Sequence, residues 1–201
     1  MSNFTPINDL PVFENLMEVY SKILHDCNLE YRDQICLNSI PSEPDDPFKG
    51  TRSIYYDWEN SKRVVNADGN ERVIVDKFKN PLEDADFTEL CSQFKGTEFE
   101  ELYIILKQRF EIGRVRLIRS KPKTCLSWHV DRTARLHFPI NTQEGCFMII
   151  QDEIKHLPRN TWWHTNTLTH HTALNGSWED RVHLVVNLLS KKPSNPNQGT
   201  V

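Results

Sequence analysis

The chain has no CxxC pair and no even set of cysteines: Cys27, Cys36, Cys91, Cys125 and Cys146 are scattered singly. That pattern excludes a disulfide framework and a cysteine zinc site. The amino terminus lacks a basic segment leading into an apolar stretch, and no window reaches the ~18 apolar residues of a membrane span. There is no internal repeat. Nor is there a large excess of one charge: Lys+Arg 24 against Asp+Glu 28 gives −4 and a pI near 6.1. Nothing in that balance draws the chain to nucleic acid or an anionic membrane, so a reducing, cytoplasmic setting without either partner is expected. The one basic run, Arg114, Arg116, Arg119, Lys121 and Lys123, reads first as a solvated strand end and second as a contact for an acidic substrate.

With 38% hydrophobic residues in 201, the chain can bury one substantial core. A single domain over 1–190 is expected, with a helical and mixed part at 1–109, a core at 110–190 and a disordered polar tail at 191–201. Apolar residues at helical spacing predict a helix from Leu10 to Leu24. Ile40 to Pro47, with Pro41, Pro44 and Pro47, must be a loop. Arg52–Trp58 and Arg72–Phe78 read as strands joined across Asp68-Gly69. Asp86–Phe94 and Glu98–Gln108 read as helices. From Phe110 the texture becomes a series of short β runs: Val115–Arg119, Cys125–Asp131, Arg135–Ile140, Phe147–Gln151, Thr161–Thr165 and Arg181–Leu189, a sandwich or small barrel.

The chemistry concentrates in that second part. His129 and Asp131, at i and i+2, share one face of a strand and can reach one metal. A distant His171 completes two imidazoles and a carboxylate, the set that holds a ferrous ion while leaving positions open. Alternation places Cys125, Ser127, His129 and Asp131 on one face and Leu126, Trp128 and Val130 on the other, either with the polar set inward and the apolar set against an outer layer, or as an exposed edge. Arg135 with His137, and Arg181 with His183, repeat the pattern, and such inward polar groups need an anion or a metal. His170 and His164 compete with His171 as ligand. Trp162, Trp163, His164 and Trp178 form a candidate aromatic rim, or plain packing.

His171 through Ser177, followed by Arg181 ten residues after His171, together with His129-Val130-Asp131, resembles the Fe(II)- and 2-oxoglutarate-dependent oxygenases. The resemblance is to their aspartyl/asparaginyl β-hydroxylase-like group, which includes free-proline hydroxylases, and it spans roughly Arg114 to Leu189. It implies a double-stranded β-helix (jelly roll, cupin-like), mainly β with flanking helices. It further implies Fe(II) on His129, Asp131 and His171, Arg181 on the distal carboxylate of 2-oxoglutarate, and Arg135 and His137 as an RxH element beside that cosubstrate. Asp131 sets the chain apart from relatives that use a histidine pair alone and from halogenases that lack the carboxylate. The expected reaction consumes O₂ and hydroxylates an amino acid or peptidyl side chain, releasing succinate and CO₂. An amino-acid carboxylate would suit Arg114, Arg116 or Arg119. Competing readings are a nucleobase-directed oxygenase and a non-catalytic cupin-like metal binder, and Arg181 argues against the second.

Overall fold

The computed structural model describes residues 2–189; the tail expected to be disordered, 191–201, lies outside the described residues. The elements in chain order are β1 (Phe4–Ile7), α1 (Leu16–Asp26), β2 (Gln34–Cys36), β3 (Asn38–Ser39), β4 (Tyr56–Val65), β5 (Glu71–Lys77), β6 (Glu89–Leu90) and α2 (Glu98–Arg109), then β7 (Ile112–Ser120), β8 (Thr124–Cys125), β9 (Arg135–Asn141), β10 (Cys146–Ile150), β11 (Glu153–Lys155), β12 (Trp162–Thr165), β13 (His171–Asn175) and β14 (Arg181–Leu188). Short 3₁₀ turns at Asp84–Asp86 and Ser92–Phe94 flank β6.

From β7 onward the chain passes back and forth between two antiparallel sheets. One has the order β1-β12-β9-β14-β7-β2 and the other β11-β10-β13-β8. Two facing sheets fed alternately by successive strands are a double-stranded β-helix, the jelly roll. Alternation fixes how each sheet is used. In β7, β9 and β14 the odd-facing set Val115, Leu117, Leu136, Phe138, Ile140, Val182, Leu184 and Val186 packs outward, with Leu16, Tyr20, Ile23 and Leu24 of α1 and Phe99, Leu102, Tyr103 and Leu106 of α2. This is the main core. Between the sheets Met148, Ile150, Leu157 and Ala173 form a smaller one with Phe4 and Trp163. The remaining inward positions of the six-stranded sheet are mostly polar, with apolar Val185, Pro139 and Ile118 among them.

α2 begins where expected, with Thr97 accepting from the Phe99 amide at 3.2 Å. α1 starts later than expected, because Pro11 disfavours helix just before it and Val12 stays 48% exposed. The helix expected over Asp86–Phe94 is absent. Its apolar residues have helical spacing, but Asn38 and Ser39 pair with Leu90 and Glu89, and sheet pairing breaks the segment into two turns and a strand. The hairpin β4–β5 forms about Gly69 at φ +81°, the left-handed value that glycine tolerates there. Its first strand begins at Tyr56 rather than Arg52, since the Ser53 hydroxyl accepts from the Tyr55 and Tyr56 amides and holds the chain in a turn. No described helix is long and apolar enough to cross a membrane.

Candidate active site

The strand expected over Cys125–Asp131 is regular only to Cys125. Beyond it the chain stays beside β13, through Leu126 N to Ala173 O at 3.0 Å and a reciprocal backbone pair between His129 and His171 at 3.0 and 2.8 Å. Ser127 and Trp128 bulge between these contacts, so Cys125 and Ser127 are exposed and only His129 and Asp131 reach the interior. The expected outer layer over Leu126, Trp128 and Val130 is also absent. These side chains are about half exposed, since β8 is an edge strand and both helices lie against the other sheet.

His129, Asp131 and His171 present donor atoms within 4.8 Å of one another. His129 Nδ1 lies 2.6 Å from Ser127 O, and His171 Nδ1 lies 2.9 Å from Thr169 O. A carbonyl only accepts, so each Nδ1 carries the proton and each Nε2 turns a lone pair toward Asp131. His171 Nε2 is 3.1 Å and His129 Nε2 3.8 Å from the carboxylate oxygens. Asp131 Oδ2 is buried with no hydrogen-bond partner among the described residues. Two acceptors facing each other at 3.1 Å repel unless a cation lies between them, so this donor set fits a metal ion. His170, the rival ligand, instead stacks on Trp128.

The other oxygen of Asp131 is held by Arg135 Nη2 at 2.5 Å. Burial alone would raise the Asp131 carboxyl, but the charge of Arg135 helps to hold it below the ordinary carboxylate range. Arg135 therefore orients the carboxylate, a contact the sequence did not show.

Arg181 is buried on the inner face of β14 and has no acidic partner among the described residues; burial pushes its guanidinium down to about 10. It donates to His183 Nδ1 at 3.0 Å. Arginine cannot accept, so His183 is protonated at Nε2. His137 Nδ1 lies 3.3 Å from the same nitrogen, whose single ring lone pair already accepts from Arg181. Burial first, and then the charge of Arg181, keeps both imidazoles neutral, far below the usual histidine range. Neither Nε2 has a partner.

Asn175 brings Arg181 into place. Its carbonyl accepts from Ser177 N and Oγ at 3.0 and 2.6 Å, and its amide donates to Ser120 O and Glu179 O at 2.8 and 2.7 Å. The turn is tight: a Cβ at Gly176 would stand 3.0 Å from Gly145 O.

Of the basic run only Lys121 and Lys123 are a solvated strand end. Arg114 and Arg116 point inward and are buried, because β7 lies between β14 and β2 and exposes neither edge. Arg114 Nε pairs with Asp84 at 2.6 Å, and Asn187 also donates to Asp84, at 2.9 Å. Arg119 faces the other way, toward Asp33 at 3.2 Å. The aromatic rim does not form as a cluster either. Trp162 is core beside Phe138, Trp163 packs between the sheets, and Trp178 is 84% exposed under Lys123. Sequence reasoning missed Asp84 and Asn187, whose partners lie far away along the chain.

Several solved structures are similar. IDO from Bacillus thuringiensis is 14% identical with a TM-score of 0.45, over 95% of this chain and 92% of that one. AviO1 from Streptomyces viridochromogenes Tue57 is 13% identical, TM-score 0.43, over 96% and 92%. A 2OG-Fe(II) oxygenase family oxidoreductase from Burkholderia pseudomallei is 12% identical, TM-score 0.37, over 90% and 94%. No curated protein matches the chain. The aspartyl/asparaginyl beta-hydroxylase family model matches residues 82–191. That is more than half of the chain, and it takes in β7 through β14 together with His129, Asp131, His171 and Arg181; the protein therefore belongs to the aspartyl/asparaginyl β-hydroxylase family.

Proposed function

We propose that this hydroxylase is an Fe(II)- and 2-oxoglutarate-dependent dioxygenase acting on an amino acid or a peptidyl side chain, with His129, Asp131 and His171 as the iron ligands and Arg181 as the anchor of the cosubstrate. The observation that carries the reading is a pairing across the barrel. Acceptors with no hydrogen between them converge on one sheet, and a buried arginine without an anion stands on the other. Iron, 2-oxoglutarate and O₂ together supply the oxidation, in which the oxo acid leaves as succinate and CO₂ and one oxygen atom enters a substrate C–H bond.

The chain's own groups do the rest. Ser127 and Thr169 carbonyls fix the two ligand imidazoles in one tautomer, and Arg135 fixes the carboxylate. Arg181 neutralises a cosubstrate carboxylate, to which His183 adds an Nε2–H donor. Both groups act in a space lined by buried side chains, where a charge-assisted hydrogen bond is strong. His137, a neutral imidazole, turns its unpartnered Nε2 to a polar group of cosubstrate or substrate or to a water.

Anaerobic titration tests the assignment. His129→Ala and His171→Ala should abolish Mn(II) binding, while Arg181→Ala should keep it and weaken 2-oxoglutarate by about 2–5 kcal/mol. Succinate release with Fe(II) should rise when L-proline, L-aspartate, L-asparagine or peptides bearing them are added, with a +16 product. Unchanged Mn(II) affinity in both histidine variants would remove the triad. Wild-type 2-oxoglutarate affinity in Arg181→Ala would move the anchor elsewhere.

A further inference from the structure

The polar inner face of the six-stranded sheet carries more cationic groups than its acids can neutralise. Arg114, Arg116, Arg135 and Arg181 stand against Asp84 and Asp131. Asp84 is taken by Arg114 and Asn187, and Asp131 by Arg135. Arg181 is assigned to the cosubstrate by the reading above, on which this step rests. Arg116 is left over. It is 7% exposed, and among the described residues its Nε has no partner and its only hydrogen bond is a long one from Nη2 to Asn187 Oδ1 at 3.4 Å. Burial, and then the charges of Arg135 and Arg114, push its guanidinium down to about 9. A buried charge without a counter-ion is expensive, and a fold keeps one where a ligand completes it.

Position separates this group from the cosubstrate anchor. Arg181 pairs with Ser120, whereas Arg116 pairs with Val185, which in turn pairs with His137. Four residues along β7 separate the two levels, about 13 Å at the strand's rise. That is more than a five-carbon diacid spans. Arg116 shares the level of His137 and Trp163, next to the level at which Arg135 faces Asn187. An anion at Arg116 therefore lies close to the iron ligands and away from the cosubstrate's far end. A guanidinium with a free Nε–H edge is a planar two-donor fork, which matches a carboxylate.

We propose that Arg116 is the anchor for a carboxylate of the substrate, so that this enzyme hydroxylates a carboxylate-bearing molecule whose acid group docks on β7.

The test uses protein loaded with Mn(II) and saturating 2-oxoglutarate, so that Arg181 is occupied, with acetate as the probe and ionic strength held constant with chloride. At about tenfold over its dissociation constant, acetate should raise the melting temperature by roughly 3–6 °C, and acetamide, its neutral isostere, should not. Arg116→Met should abolish the acetate shift, and its acetate-free melting temperature should rise above that of wild type. A role limited to holding Asn187 predicts a fall instead. Arg116→Lys, which keeps a charge but loses the fork, should keep a reduced shift. No acetate shift in wild type, an equal shift with acetamide, or a full shift in Arg116→Met would overturn the proposal. L-proline and the α-amide of N-acetyl-L-aspartic acid, whose β-carboxylate is free, distinguish as further probes an α-carboxylate from a side-chain carboxylate by which reproduces the Arg116-dependent shift. Failure of the wild-type protein to bind Mn(II) or 2-oxoglutarate would sink the iron reading alone, because the acetate response of wild type against Arg116→Met can be measured without turnover.

Discussion

His137 and His183 show how strongly individual residues are tuned here. Both are neutral in the folded protein because burial, followed by the charge of Arg181, holds them far below the usual histidine range. In the unfolded chain they titrate near 6.5. Below that pH the unfolded state binds protons that the folded state refuses, so stability is full above about 6.5 and falls as pH drops, by about 1.4 kcal/mol per pH unit for each histidine. Urea denaturation of metal-free protein between pH 7.5 and 5.5 should show this slope, and His183→Asn should remove one histidine's share. A flat profile would contradict the buried, neutral pair. The inward face of Arg181 was legible in the sequence, because alternation along one strand decides which face a side chain takes, whereas His129 follows a bulge that breaks the alternation. The choice among Arg114, Arg116 and Arg119 was not legible. It depends on Asp84, which reaches β7 from a 3₁₀ turn packed so closely that a Cβ on Gly113 would stand 2.7 Å from it.

Among elements, the turn from β13 to β14 links the proposed metal ligand His171 to the proposed cosubstrate anchor Arg181, and Asn175 is its centre. Asn175→Ala would leave the carbonyls of Ser120 and Glu179 and the Ser177 amide without their partner. The expected loss is about 2–4 kcal/mol of stability, several buried groups being unsatisfied at once. It should also weaken 2-oxoglutarate more than Mn(II), because Arg181 follows the turn while His171 precedes it. Equal weakening of both would show that the turn supports the site only through general stability. The strands β9 and β14 were readable because their apolar set faces a helical layer and their polar set faces the barrel, giving strict alternation. β13 escaped notice: it is short and begins in a histidine pair, although His171, Ala173 and Asn175 do alternate with Thr172 and Leu174. Asp86–Phe94 was misread because helical spacing of apolar residues arises equally from a short strand between two turns.

At the scale of the whole molecule, the chain is net negative while the inner face of its larger sheet is net positive. A β-sandwich or small barrel was readable from the rhythm of short strands and the double-stranded β-helix from the family resemblance, and the lack of cover over the smaller sheet was not, since Leu126, Trp128 and Val130 alternate as buried residues would. On the proposed reading, Mn(II) alone should slow hydrogen exchange in β13, whereas Mn(II) with 2-oxoglutarate should slow it in β13 and β14 together. Protection of β13 only in both cases would show that the cosubstrate does not reach β14. The iron ligands sit with the four-stranded sheet and Arg181 on the six-stranded one, so the two sheets are jaws and a cosubstrate held at both ends is a rivet through them. Turnover shortens that rivet by one carbon and removes its oxo group. The enzyme would thus loosen its own barrel with each product formed, so that a mechanical release is built into the placement of two residues on opposite walls.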